Sequence, residues 1–330
     1  MSLETASAVI HIAVPAISPG PAPDMTMKPA HLKQIRAVDP RVRITSVSHR
    51  TKWLEEAPET EVILGFRPLR DAALKSRRLR WVHAAGAGVE RLCQDVAGTD
   101  IIVTNSHIHG DPISEHVFGM LLSLARRLPE FFQCQEQRRW ARHDRPGTLL
   151  AGRTMGVLGL GTLGVAVAKR AAAFGMRVVG TKRTPAPVPH VDRVFPSHEL
   201  DEVLRMSDAV VVTLPYTAET KGLIGARELA LLPPGAFVIN VGRGGIIDEA
   251  ALVAALRSGR LGGAGSDVFD QEPLPEDSPL WDTPRLIITS HCAGAFEGYM
   301  DRVVPLFCEN LRRYLAGRPL LNVVDVSRGY

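Results

Sequence analysis

The chain reads as an α/β protein built from two doubly wound parallel sheets. Three observations lead there. Short apolar runs alternate with helical patterns from end to end, as they do where crossover helices join parallel strands. The alternation comes in two series with a long helical stretch between them. Gly159-Leu160-Gly161-Thr162-Leu163-Gly164 follows an apolar run and opens a helical pattern, which is the context of a dinucleotide-binding turn.

In the first series Val9–Val14, Val42–Val47, Glu61–Gly65, Trp81–Ala84 and Ile101–Thr104 read as strands. Pro15 to Pro29, rich in proline and methionine, reads as a loop. Pro112 to about Arg127 is a helix, with Pro112 in its first turn and Asp111 as a plausible N-cap. The second series runs through Thr154–Leu158, Met176–Thr181, Ala209–Thr213, Ala236–Asn240, Leu261–Ser266 and Leu286–Thr289. A helix over Val165–Phe174 follows the glycine turn, and one over Phe296–Leu315 closes the chain. If that last helix returns to the first unit, the nucleotide domain is an insertion. The expected domains are then 1–111 with 295–330, and 112–294. Periodicity alone does not decide this.

A length of 330 residues suffices for two sizeable cores. Hydrophobic residues at 45% and charged residues at 22% suit a soluble globular protein. Lys plus Arg is 39 and Asp plus Glu is 35, a net +4 that suits anionic small molecules and is too dispersed for nucleic acid. Arg77, Arg78 and Arg80 read as a solvated helix end. Cys93, Cys134, Cys292 and Cys308 form no C-x-x-C pair, so a reduced, cytoplasmic protein is expected. There is no membrane-length apolar run and no signal-peptide pattern.

The glycine turn has a division of labour. Gly159 permits the tight turn, Gly161 lets the backbone approach a pyrophosphate, and Gly164 lets the helix pack close to its sheet. The phosphates would sit at the helix N-terminus. Enzymes using NAD usually carry an acid at the end of the next strand to bond the ribose hydroxyls. Here that position reads Lys182-Arg183-Thr184. A guanidinium can bind a 2′-phosphate that a carboxylate would repel. NADP(H) is therefore expected over NAD(H), with NAD(H) possible; the alternative is a merely solvated loop.

Three polar segments fall at later strand ends. The first, Asn240 to Asp248, places Arg243 among glycines, where it can hold a carboxylate and the adjacent keto oxygen. The second runs from Asp267 to Pro273 and contains Glu272; the third runs from Thr289 to Gly294 and contains His291. A reductase adding hydride to a ketone must deliver a proton to the developing alkoxide. Histidine is the usual donor, and a nearby carboxylate fixes its ring. Taken singly, each residue is as well read as a loop salt bridge or a packed histidine. His107, His109, Asp111 and His116 lie around a helix start without a metal-ligand pattern, and no metal is expected.

The nucleotide turn, the Arg243-Gly244 loop, Asp267-Val268-Phe269-Asp270-Gln271-Glu272-Pro273 and the late His291 resemble, in order and spacing, the D-2-hydroxyacid dehydrogenase family. The likeness runs from roughly Trp81 to the C-terminus. Gly86-Ala87-Gly88-Val89, Glu272-Pro273-Leu274-Pro275, Ser278-Pro279-Leu280-Trp281 and the tail Ser327-Arg328-Gly329-Tyr330 are most similar to its short NADP-dependent glyoxylate/hydroxypyruvate reductases.

The resemblance implies two Rossmann-like domains, the substrate domain flavodoxin-like, with the active site in the cleft between them and a homodimer as the assembly. It implies hydride transfer from NADPH to a small 2-oxo acid, giving the D-2-hydroxy acid. Arg243 would bind the substrate, Glu272 would pair with His291, and His291 would be the proton donor. The Ala87 and Gly88 amides would hold the substrate carboxylate. Trp140 sits where some of these reductases insert a tryptophan from the partner subunit; a buried interface tryptophan is the equal alternative. Besides the glycine turn and Lys182-Arg183-Thr184, cofactor contacts are implied at Thr162, Leu163, Leu214, Pro215, Thr220, Val241, Gly242, Asp267, His291 and Ala293.

Two positions depart from the family pattern. Ser290 stands where the family commonly has Pro, and Glu90 where it has Asp. Cys292 reads as packing. The competing functions are phosphoglycerate dehydrogenase or another member of the family, and a non-catalytic nucleotide-sensing regulator. Retention of Arg243, Glu272 and His291 together speaks against the last. Trp53 and the Phe66-Arg67 loop are candidate pocket residues with no assigned place.

Overall fold

The computed structural model describes residues 9–15, 26–47, 59–65, 76–142 and 146–329. They form two compact units, one drawn from Met1–His109 and Ala295–Tyr330, the other from Gly110–Gly294.

The first unit carries β1 (Ile10–Pro15), β2 (Val42–Val47), β3 (Val62–Gly65), β4 (Trp81–Ala84) and β5 (Ile102–Thr104). They pair in the order β2-β1-β3-β4-β5, all parallel, the flavodoxin-like arrangement. Strands β3 and β4 are buried at every residue, as in a sheet covered on both faces. The helix Tyr299–Leu315 supplies part of that cover. It buries Tyr299, Met300, Val303, Val304, Phe307, Cys308 and Leu311, spacings that make one apolar stripe. Phe307 stacks on Trp81 with ring centroids 5.1 Å apart, a pair worth about 0.5–1.5 kcal/mol beyond its buried area. The closing helix thus belongs to the first unit, and the second unit is inserted before it.

The second unit carries β6 (Thr154–Leu158), β7 (Arg177–Lys182), β8 (Arg193–Pro196), β9 (Ala209–Val212), β10 (Phe237–Asn240), β11 (Gly263–Ser266) and β12 (Leu286–Ile288). Their order is β12-β11-β10-β9-β6-β7-β8, all parallel. Chain order reverses between β6 and β9, the point at which doubly wound sheets bind ligands. Strand β11 reads Gly-Ala-Gly-Ser, a weak strand by composition. The helix Gly110–Ala125 accounts for it: a Cβ on Gly265 would lie 2.8 Å from Met120 Sδ, and one on Gly263 2.9 Å from Leu124 Cδ2.

Several local expectations are corrected. Strand β8 was not anticipated; it is a four-residue edge strand whose Arg193 and Pro196 hide the apolar pair between them. Asp111 lies inside the first turn of Gly110–Ala125 rather than capping it, and its carboxylate accepts from Arg170. The helix after the glycine turn begins at Thr162 with Gly161 as N-cap, and the closing helix begins at Tyr299 after Gly298. Pro29 opens a helix, Pro29–Arg36, instead of ending a loop; residues 16–25 lie outside the described residues. Arg77 and Arg78 are exposed in a turn, with Arg78 paired to Glu59. Trp53 and Phe66-Arg67 also fall outside the described residues. No helix among the described residues is long and apolar enough to cross a membrane.

Candidate active site

At the carboxyl end of β6 the glycine turn divides its work as the residue types suggest. Gly159 has φ +101, a conformation that disfavours a side chain. A Cβ on Gly164 would lie 2.1 Å from the Gly159 carbonyl oxygen, whereas one on Gly161 would meet nothing within 4 Å. The turn is therefore closed where the helix meets the strand and open where a diphosphate must approach, at the N-terminus of the helix Thr162–Ala173. Thr162 and Leu163 open that helix. Lys182 ends β7, and Arg183 reaches to 3.9 Å of Glu219. Thr184 follows, exposed. This donor set of free N–H groups and cations fits a dinucleotide phosphate.

Two threonines that sequence reading passed over hold the turn. The Gly159 N–H donates to Thr181 Oγ1 at 3.3 Å, and the Thr213 hydroxyl donates to the Gly159 carbonyl at 2.7 Å. The segment after β9 folds on itself: the Thr220 hydroxyl donates to the Pro215 carbonyl and accepts from the Thr217 N–H. Thr220 thus closes its own loop. Leu214 meets the next strand end, since a Cβ on Gly242 would lie 2.8 Å from the Leu214 carbonyl oxygen. Val241 beside it is buried and donates its N–H to Val212.

Arg243 follows β10, and its backbone is bracketed by Asn240. The Asn240 Oδ1 accepts the Gly242 N–H at 3.1 Å, and its Nδ2 donates to the Arg243 carbonyl at 3.1 Å. Asn240 is only 4% exposed, so its two bonds set how the loop leaves the sheet. Arg243 itself donates to the Gly242 carbonyl.

Glu272 and His291 are together. Glu272 Oε2 lies 2.7 Å from His291 Nδ1, while its Oε1 accepts the Phe269 N–H at 3.0 Å. A carboxylate accepts, so Nδ1 carries the hydrogen and Nε2 is left for proton exchange. Residue 291 has φ +52, a left-handed conformation in which histidine is several-fold enriched among non-glycine residues.

Asp267 supports that backbone. It is 3% exposed, and its carboxylate accepts from the Thr289 hydroxyl at 2.6 Å and the Cys292 and Ala293 N–H groups at 2.9 Å each. Its carbonyl accepts the His291 N–H at 2.8 Å. Asp267 thus holds the turn that carries His291. His116 stands behind, its Nε2 2.9 Å from Thr289 Oγ1. His116, Asp267 and Cys292 bring ligand atoms within 4.8 Å of one another, but the Asp267 oxygens already hold three donors, a poor metal ligand.

Ala87 and Gly88 are exposed in the turn after β4, in the first unit, where the Ala87 carbonyl accepts from Asn105. Trp140 is 90% exposed beyond the helix Leu128–Glu136, with Phe131, Phe132 and Leu149 also exposed.

The family profile described as D-isomer specific 2-hydroxyacid dehydrogenase, NAD binding domain, matches residues 118–293. A D-3-phosphoglycerate dehydrogenase of Mycobacterium leprae is 34% identical over 299 residues, 87% of this chain and 55% of that one. The chain thus spans little more than half the length of such curated relatives. Among solved structures, a D-isomer specific 2-hydroxyacid dehydrogenase from Xanthobacter autotrophicus, in complex with NADPH and MES, superposes with TM-score 0.81 at 35% identity, covering 98% of this chain and all of that one. An NADPH-dependent glyoxylate/hydroxypyruvate reductase from Sinorhizobium meliloti, in complex with NADP and sulfate, gives 0.82 at 26% identity, with 97% and 100% coverage.

Proposed function

The chain belongs to the D-isomer specific 2-hydroxyacid dehydrogenase family, and on that premise we propose that it reduces a small 2-oxo acid, glyoxylate or hydroxypyruvate, to the D-2-hydroxy acid with NADPH. When bound, NADPH supplies the hydride. The observation that carries the reading is the 2.7 Å contact of Glu272 with His291 Nδ1. It holds the ring so that a proton on Nε2 can pass to the oxygen that becomes the hydroxyl. Arg243 binds the substrate carboxylate and polarises the keto oxygen as negative charge grows there. The Ala87 and Gly88 amides lie in a glycine-rich turn of the kind that holds a carboxylate. Lys182 and Arg183 take the 2′-phosphate, which favours NADPH over NADH. A homodimer formed through the exposed aromatic segment around Trp140 completes the reading.

Identity to a phosphoglycerate dehydrogenase favours a second reading with the same chemistry on a phosphorylated substrate. Steady-state rates with glyoxylate, hydroxypyruvate and 3-phosphohydroxypyruvate, each with NADPH and NADH, separate the two. A preference for the phosphorylated acid rejects the first reading, and a tenfold preference for NADH rejects the cofactor assignment.

A further inference from the structure

The turn Ala85-Gly86-Ala87-Gly88 is held by its carbonyls. The Ala84 carbonyl accepts the Ser106 hydroxyl at 3.2 Å, and the Ala85 carbonyl accepts the Tyr299 hydroxyl at 2.9 Å. The Gly86 carbonyl accepts the Ser106 N–H at 3.2 Å, and the Ala87 carbonyl accepts Asn105 Nδ2 at 2.9 Å. Four consecutive carbonyls thus have donors, drawn from the segment after β5 and from the closing helix. Each donor is braced in turn. His109 Nε2 lies 2.8 Å from the Tyr299 hydroxyl oxygen, whose proton is committed to Ala85, so His109 donates. Asn105 exchanges backbone and side-chain bonds with Asn322 near the C-terminus, at 3.2 Å each.

A peptide whose carbonyl is pulled toward the protein turns its N–H the other way. Along this turn the bound carbonyls face Ser106, Tyr299 and Asn105, while Ala87 and Gly88 are exposed. The Ala85 carbonyl, held by Tyr299, shares its peptide with the Gly86 N–H, and the Ala87 carbonyl, held by Asn105, shares its peptide with the Gly88 N–H. We infer that Asn105 is a positioning residue that aims the Gly88 amide at the substrate carboxylate. This rests on the reading of that turn as the carboxylate binder. The Asn105 side chain acts by withholding rotational freedom from the peptide that meets the substrate.

Asn105→Ala removes the donor to Ala87, and Tyr299→Phe, which removes the bond to the Ala85 carbonyl and so bears on the Gly86 N–H, is the local control. In the intact chain Tyr299→Phe leaves KM for glyoxylate within about twofold, whereas Asn105→Ala raises it about tenfold, the scale of one lost hydrogen bond, with kcat and the NADPH Kd within about twofold. Oxalate, a non-reducible carboxylate probe, loses affinity by the same factor in calorimetry with NADPH present. Cys308→Ala, a buried change on the Tyr299 helix, lowers Tm and leaves KM unchanged, which separates positioning from general destabilisation. A folded Asn105→Ala variant with parental KM and oxalate affinity, or an equal rise in Tyr299→Phe, overturns the inference while the functional reading stands. A parent that reduces no 2-oxo acid overturns the functional reading instead. Oxalate affinity then still decides the positioning role: equal values in the parent and in Asn105→Ala reject it.

Discussion

His83 Nδ1 lies 2.7 Å from Thr104 Oγ1, and the direction of that bond is determined by its neighbours. The Ser106 hydroxyl donates to the Ala84 carbonyl, so His83 Nε2, 3.1 Å from Ser106 Oγ, must be the donor there. Nδ1 is then the acceptor, and the Thr104 hydroxyl donates to it while receiving the Trp81 Nε1–H at 2.8 Å. The ring is neutral, fully buried, and part of a chain that uses each of its protons once.

That arrangement makes the fold acid-sensitive. Burial pushes the His83 pKa down from 6.5 to about 3. Below pH 6.5 the unfolded chain takes up a proton that the folded chain refuses. The stabilisation is therefore complete above pH 6.5 and is lost as pH falls toward 3, by about 1.4 kcal/mol per pH unit. Denaturant titrations at pH 7.5 and 5.0 should show a drop about 2 kcal/mol larger in the parent than in His83→Gln. An equal drop in both would remove His83 as the source.

His291 and Glu272 are separable by substitution. Because residue 291 has φ +52, asparagine, which tolerates that region, is a cleaner replacement than alanine. His291→Asn should lower kcat by about 10²–10⁴-fold, the range for loss of a general acid, with the NADPH Kd within about twofold. Glu272→Gln should lower kcat by about 10²-fold and flatten the pH–rate profile. Unchanged turnover in His291→Asn discards the mechanism.

The cofactor preference should follow the basic pair. Arg183→Ala should cut kcat/KM with NADPH about 10–100-fold, as expected for a lost bond to a charged group, and leave the value with NADH within about twofold. Equal losses with both cofactors would mean that Arg183 merely orders its loop, for example through Glu219 at 3.9 Å.

Asn240 is predicted to matter as much as a substrate contact. Asn240→Asp keeps an acceptor for the Gly242 N–H and loses the donor to the Arg243 carbonyl. It should raise KM for the 2-oxo acid about tenfold, with little change in NADPH binding. A parental KM in a folded variant would show that the loop holds Arg243 without this bond.

What the sequence made legible was whatever has a period or a fixed spacing. The alternating runs announced both parallel sheets, and the glycine turn, Arg243, Glu272 and His291, in order and spacing, announced the family. The supporting bonds of Thr181, Thr213 and Asp267 stayed hidden because they join segments distant in the chain, and those of Asn240 because they appear only once its loop has turned back on the side chain. Asp267 bonds residues 22 to 26 positions ahead, and no local pattern marks a carboxylate that will be filled by main-chain donors. Strand β11 was readable only through its apolar flank, since its glycines answer to Met120 and Leu124 of a distant helix. The closing helix announced its period but not its destination, which Trp81 and Phe307 decide by stacking.

The exposed aromatic segment carries the last prediction. Trp140 is 90% exposed, Phe132 57%, Phe131 44% and Leu149 69%, a concentration of large apolar side chains that a solvated surface does not favour. If a second copy covers them, sedimentation equilibrium of the parent gives a dimer. Replacing Phe131, Phe132 and Trp140 together by serine should then give a monomer with the same far-ultraviolet circular dichroism, because none of the three is part of a buried core. Trp140→Ala alone separates assembly from substrate contact. A dimer with raised KM for the 2-oxo acid places Trp140 against the substrate, and a dimer with parental kinetics leaves it a packing residue. A parent that sediments as a monomer at micromolar concentration rejects the interface.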